Sequence, residues 1–87
     1  MTGARRRILV VEDDSETAEQ IVDFLRTRGY QADLAMNGND GMRLGQSADY
    51  AVMTIDRMLP GMDGLAVIRR LREAKIVIPA LIISALG

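Results

Sequence analysis

The sequence predicts an α/β domain in which parallel strands alternate with helices, and three observations carry that prediction. Apolar stretches of strand length recur between stretches of helical period, in the order strand-helix three times and then a strand. Two of the apolar runs, Arg7 to Val11 and Tyr50 to Ile55, are nearly continuous, as strands covered on both faces are. Both runs stop at carboxylates, Glu12-Asp13-Asp14 and Asp56, where an open parallel sheet gathers its ligand-binding groups.

Bulk properties narrow the class. With 87 residues, a formal charge of −1 and 48% hydrophobic residues, the chain suits one globular domain, residues 1–87, rather than a disordered tail. A domain this short leaves a large share of its surface wet, so the loss of any one element would matter. The absence of cysteine excludes disulfides, thiolate metal sites and a cysteine nucleophile, and is compatible with a reducing compartment. The absence of histidine means that a phosphohistidine donor would have to belong to another molecule. Arg5, Arg6 and Arg7 precede only a short apolar stretch, Ile8 to Val11, too brief for a signal-peptide core or a membrane span. The expectation is a cytoplasmic protein without membrane contact. Balanced charge and few aromatics make the three arginines a solvated flank rather than a nucleic-acid contact.

Taken in order, Arg7 to Val11 is a central strand. Ala18, Ile21, Val22 and Leu25 then recur at helical spacing, with Phe24 widening the stripe, and predict a helix from Ser15 to about Arg28. Asp14 or Ser15 caps it, and Gly29 supplies a left-handed stop. Tyr30 to Met36 alternates weakly, with Ala32, Leu34 and Met36 against Gln31, Asp33 and Ala35, and reads as a half-exposed outer strand. Asn37 to Ser47 is a sparse helical pattern weakened by Gly38, Gly41 and Gly45. Those glycines match neither a phosphate loop nor a dinucleotide fingerprint. After the Tyr50 strand, Pro60-Gly61 and Asp63-Gly64 mark turns. Asp63 caps a helix through Ala74, with Leu65, Val67, Ile68 and Leu71 inward and Arg69, Arg70, Arg72 and Lys75 outward. Ala80 to Ala85 is a last apolar strand interrupted by Ser84.

Taken alone, Asp56 reads as a residue that opens a turn, and Asp13 and Asp14 as residues that cap a helix. Parallel strands change this, because they bring Glu12, Asp13 and Asp56 to one edge. Clustered carboxylates repel and raise the pKa of at least one member unless a cation compensates. With only hard oxygen ligands on offer, that cation is Mg²⁺ or a similar ion. A carboxylate beside such an ion can attack a phosphoryl group, so Asp56 is the candidate phosphoacceptor, and the Ser84 hydroxyl a candidate donor to a phosphoryl oxygen.

Ile8-Leu9-Val10-Val11-Glu12-Asp13-Asp14, then Asp56-Arg57-Met58-Leu59-Pro60-Gly61-Met62-Asp63-Gly64, then Ile82-Ile83-Ser84-Ala85 resemble the receiver domain of bacterial two-component response regulators. The three blocks stand in the right order and the resemblance spans nearly the whole chain. It implies a flavodoxin-like, doubly wound parallel sheet with strand order 2-1-3-4 for the strands present. It also implies phosphorylation of Asp56 by a partner histidine kinase, with Mg²⁺ held by Glu12, Asp13, Asp56 and the backbone carbonyl of Met58, and with Ser84 sensing the phosphoryl group. The family pattern continues through a further helix, a fifth strand bearing a lysine and an aromatic switch residue, and a last helix. None of these matches the present sequence, whose one lysine is Lys75, so the expectation is a receiver truncated after its fourth strand. An apolar edge strand at Ala80 to Ala85 then predicts self-association, through that edge or by exchange of elements.

Two other functions stand beside this one. An aspartyl-nucleophile phosphatase needs a second acid two residues after the nucleophile, and Met58 occupies that place. A self-associating assembly module with an unreactive acidic pocket is implied if the missing lysine is indispensable. DNA contact is not expected of this segment, only of an output domain resembling those of winged-helix regulators.

Overall fold

Continuous burial makes β1 (Arg7–Val11) the centre of the sheet: Leu9 and Val10 point to opposite faces and both are 0% exposed. The structure is a computed structural model and describes residues 6–83. After β1 come α1 (Ser15–Thr27), β2 (Gln31–Ala35), α2 (Gly38–Ser47), β3 (Val52–Asp56), the short strands β4 (Met58–Leu59) and β5 (Met62–Asp63), α3 (Gly64–Glu73) and β6 (Ala80–Ile83). β2, β1, β3 and β6 form one sheet in that order, every pair parallel, which is the order 2-1-3-4 expected of its four strands. β4 and β5 pair separately as an antiparallel hairpin. Ser84 and the end of the strand expected over Ala80 to Ala85 lie outside the described residues.

The two faces of the sheet carry separate cores. Ile8, Val10 and Ala32 meet Val22 of α1 on one side. Leu9, Val11, Ala35, Met53 and Ile55 meet Val67 and Leu71 of α3 on the other. Asp14 is the cap of α1, accepting the Thr17 amide at 2.9 Å and the Thr17 hydroxyl at 2.6 Å. Gly29, at φ 88°, ends the helix in the left-handed conformation. Phe24 does not widen the buried stripe. It is 55% exposed, with the Arg28 guanidinium 4.4 Å from its ring centroid, because its position turns past the sheet and a cation covers the ring instead.

β2 keeps its expected alternation of faces but buries one alanine on each. Ala32 and Ala35 are buried, whereas Leu34 and Met36 are exposed. Asp33, on the Ala35 face, is half-buried and has two partners: Arg7 donates to its Oδ2 at 2.7 Å and the Tyr50 hydroxyl donates to the same oxygen at 2.8 Å. Arg7 is therefore not part of a solvated flank; its guanidinium also lies 5.3 Å from the Tyr50 ring centroid. Arg72 is exposed, as expected of the outward face, and also donates to the carbonyls of Ile76 at 3.0 Å and Ile78 at 2.7 Å, fastening the connection into β6.

The glycines of α2 are its packing face rather than a weakness. Gly38, Gly41 and Gly45 are all buried, and a Cβ at Gly41 would lie 3.1 Å from both methyl carbons of Val11. The helix forms because close approach to the sheet compensates the propensity that each glycine forfeits, about 1 kcal/mol.

Candidate functional site: an acidic pocket at the carboxyl edge

Parallel pairing puts the ends of β1 and β3 side by side: Val11 stands opposite Ile55 in the register, so the next residues, Glu12, Asp13 and Asp56, emerge at one edge. Oxygens of these three carboxylates all lie within 4.8 Å of one another. Glu12 is the deepest, at 6% exposure, and its amide donates to the Ala35 carbonyl at 2.9 Å, which pins the chain to the end of β2. The Asp14 amide donates to Glu12 Oε2 at 3.0 Å. Burial, above all, pushes the Glu12 carboxyl above its ordinary range; the charges of Asp56 and Asp13 push the same way, and the Asp14 amide opposes them.

The hairpin after β3 fixes the Asp56 side chain. Asp56 Oδ1 accepts the Met58 amide at 3.0 Å, an Asx-type turn that starts the β4–β5 hairpin. Pro60 leads into Gly61, whose φ of 72° closes the hairpin, and Asp63 Oδ1 accepts the Leu65 amide at 2.9 Å to begin α3. Gly64 makes that start possible. Its amide donates to the Arg57 carbonyl at 2.8 Å, and a Cβ here would run into the Asp56 carbonyl oxygen. The first turn of α3 is thus seated directly on the backbone that presents the Asp56 carboxylate.

Asp13 opens into a groove of about 590 Å³ lined by Arg57, Met58 and the hairpin turn. Met58 is 76% exposed at its mouth. The residues singled out in the sequence therefore gather, with Glu12, Asp13 and Asp56 in contact range and Met58 tied to Asp56, while Ser84 lies outside the described residues. Reading the residues one by one missed Gly64 as a positioning residue and the Asp14 amide as a donor to Glu12; the Asp63-Gly64 pair at the foot of a helix is the signal that could have revealed the former. The three carboxylates, one of them buried, form a set of hard oxygen donors that fits a divalent ion such as Mg²⁺. No helix among the described residues is long and apolar enough to cross a membrane.

Comparisons with known proteins point in one direction. Residues 8–87 match the model of the response regulator receiver domain. The chain is 38% identical over 81 residues to the transcriptional regulatory protein CusR of Escherichia coli, covering 93% of this chain and 36% of that protein. It is 41% identical over 78 residues to the cell cycle transcriptional regulator CtrA of Caulobacter vibrioides, covering 90% of this chain and 34% of that protein. The chain thus spans about a third of the length of these curated relatives. Among solved structures, the Francisella response regulator 1452 receiver domain superposes with a TM-score of 0.88 at 31% identity, covering 95% of this chain and 69% of that one. The response regulator TrrA of Thermotoga maritima, solved in complex with Mg²⁺-BeF, gives a TM-score of 0.87 at 30% identity over 94% of this chain and 71% of that one.

Proposed function

From the premise that this chain belongs to the response regulator receiver family, we propose that Asp56 is its phosphoacceptor, taking a phosphoryl group from a histidine kinase. The observation that carries the reading is the approach of the Glu12, Asp13 and Asp56 carboxylate oxygens to within 4.8 Å of one another at the carboxyl edge of the sheet.

Glu12, Asp13 and Asp56, with the Met58 carbonyl, hold Mg²⁺ in this reading. When bound, the ion neutralises charge on the transferring phosphoryl oxygens and relieves the repulsion among the carboxylates. The chain's own residues do the rest. Met58 holds Asp56 Oδ1 through its amide, which orients the carboxylate and leaves Oδ2 to attack phosphorus. The bond from phosphorus to the kinase's imidazole nitrogen breaks as the Asp56 oxygen–phosphorus bond forms, and the electron pair leaves with the imidazole. Since the chain has no histidine, the donor is another molecule. Ser84 completes the proposal as a hydroxyl donor to a phosphoryl oxygen. The domain is then one signalling unit over residues 1–87, acting in the cytoplasm and not itself an enzyme, and its DNA-bound output belongs to a separate domain, in keeping with the transcriptional regulators among its relatives.

Incubation with Mg²⁺ and acetyl phosphate tests the reading. One phosphoryl group should add to the intact mass, EDTA should prevent it, and Asp56→Asn should abolish it; an unmodified wild-type chain in Mg²⁺ would refute it.

A further inference from the structure

The hairpin that holds the Asp56 carboxylate is itself held from its far side. In the β4–β5 pair, Leu59 stands opposite Met62, and Met58 opposite Asp63 one step further from the turn. Only Pro60 and Gly61 join the two strands, with Gly61 at φ 72°, so little freedom remains between Met62 and Met58. Leu59 is buried in the core that α3 covers, and Met62 packs against the same core.

Met62 also reaches α2. A Cβ at Gly38 would lie 3.0 Å from Met62 Sδ, 3.1 Å from Met62 Cβ and 3.1 Å from Val67 Cγ2, so these two side chains fill the space that the glycine leaves. Methionine suits such a gap, being unbranched and polarisable. Gly38 is the first residue of α2, and its place is fixed twice. The Asn37 side chain accepts the Asp40 amide at 2.8 Å, and Gly41, about one turn on, sits against Val11 of β1. The wall that Met62 meets is thus anchored to the central strand.

The hairpin has no such anchor of its own. β4 and β5 pair only with each other, outside the four-stranded sheet, and a lone two-stranded hairpin is marginal in water. Its packing therefore decides where its groups stand. One of those groups is the Met58 amide, which donates to Asp56 Oδ1 at 3.0 Å.

We infer that Met62 is a positioning residue for Asp56: wedged against Gly38, it holds the hairpin so that the Met58 amide stays on Oδ1 and Oδ2 stays free. Resting on Asp56 as the phosphoacceptor, this role makes α2 the wall against which the reacting carboxylate is set.

Solvent exchange of backbone amides, read by NMR in EDTA, tests the positioning directly. Met62→Ala should speed exchange of the Met58 amide by about tenfold. It should leave unchanged the Thr17 amide, an equally exposed donor to a carboxylate, at the cap of α1. Met62→Leu, which refills the space, should stay within about twofold of the wild type at both amides. With Mg²⁺ and acetyl phosphate, Met62→Ala should take up its phosphoryl group about tenfold more slowly. Where Met62→Ala does not fold, Met62→Val, which keeps the Cβ contact but not the sulfur, carries the same comparison. Unchanged Met58 exchange in a folded variant, or Met58 and Thr17 exchange rising together as in general loosening, would overturn the inference. So would an undiminished rate of modification despite faster exchange. A wild type left unmodified by acetyl phosphate, while Met58 exchange responds to Met62, would refute the phosphoacceptor reading and still support Met62 as the residue that sets the Asp56 carboxylate.

Discussion

Tyr50 and Arg7 converge on a single oxygen, Asp33 Oδ2, at 2.8 and 2.7 Å, and so tie the loop before β3 to the edge strand β2 across the start of β1. Burial raises the Asp33 carboxyl, but the Arg7 guanidinium and the Tyr50 hydroxyl outweigh it and hold Asp33 below the ordinary carboxylate range. Burial, with the Asp33 charge, pushes the Tyr50 hydroxyl up to about 12. A depressed carboxyl contributes stability that is fully present above its unfolded value, about 3.9, and is lost as pH falls through the folded value. A raised phenol contributes below its unfolded value, about 10, and loses that contribution as pH rises toward the folded one. The stability difference between wild type and Asp33→Asn should thus be constant from about pH 6 to 8 and shrink below about pH 4. Tyr50→Phe should cost about 1 kcal/mol at neutral pH, with the cost diminishing in strong alkali. Urea titrations across pH measure both.

Carboxylate repulsion at the acidic pocket gives a second expectation. Without divalent ions, Asp13→Asn should raise stability by about 1 kcal/mol at low salt, since one of three clustered charges is removed. Mg²⁺ at a hundred times its dissociation constant should stabilise the wild type by about 2.7 kcal/mol and the variant by much less, reversing their order. Thermal melts with EDTA and with Mg²⁺ decide this.

Gly64 lacks room for a single methyl group. Gly64→Ala forces the added carbon against the Asp56 carbonyl oxygen and should cost about 1–3 kcal/mol, despite the gain in helix propensity. Since the displaced backbone is that of Asp56, modification by acetyl phosphate should slow as well, even under conditions where circular dichroism shows the variant folded.

Gly41 is a gentler case, because its neighbour is a side chain. Gly41→Ala brings a methyl to 3.1 Å from both Val11 methyl carbons and should be destabilising by about 1 kcal/mol net of propensity. In Val11→Ala the same change should become neutral or stabilising. A double-mutant cycle by urea unfolding reads the coupling directly.

Much of this arrangement was legible in the residues, for physical reasons that differ from element to element. β1 and β3 announce themselves because strands buried on both faces are apolar throughout, and α1 and α3 because their stripes repeat at the helical period. The gathering of Glu12, Asp13 and Asp56 came from parallel pairing alone, since parallel strands end on one edge. The cap of α1 could be narrowed to Asp14 or Ser15, and only the bonds from Thr17 separate them. The features that stayed hidden depend on contacts between distant segments. Nothing near Asp33 in the chain reveals Arg7 and Tyr50 as its partners, so that ion pair and hydrogen bond were invisible. The glycines of α2 were discounted because propensity is local, whereas their role is to admit Val11 and Leu71 at close range.

The placement of β1 between β2 and β3 also sets the order in which the molecule can be put together. β1 and β2 are joined by one short helix and can pair early, while β3 is separated from β1 by two helices and a strand, a closure that costs more chain entropy. Glu12 and Asp13 cannot meet Asp56 until that later pairing is made. The acidic pocket is therefore absent from any chain in which β3 has not yet joined β1, and a divalent ion that binds it favours molecules in which that pairing is made.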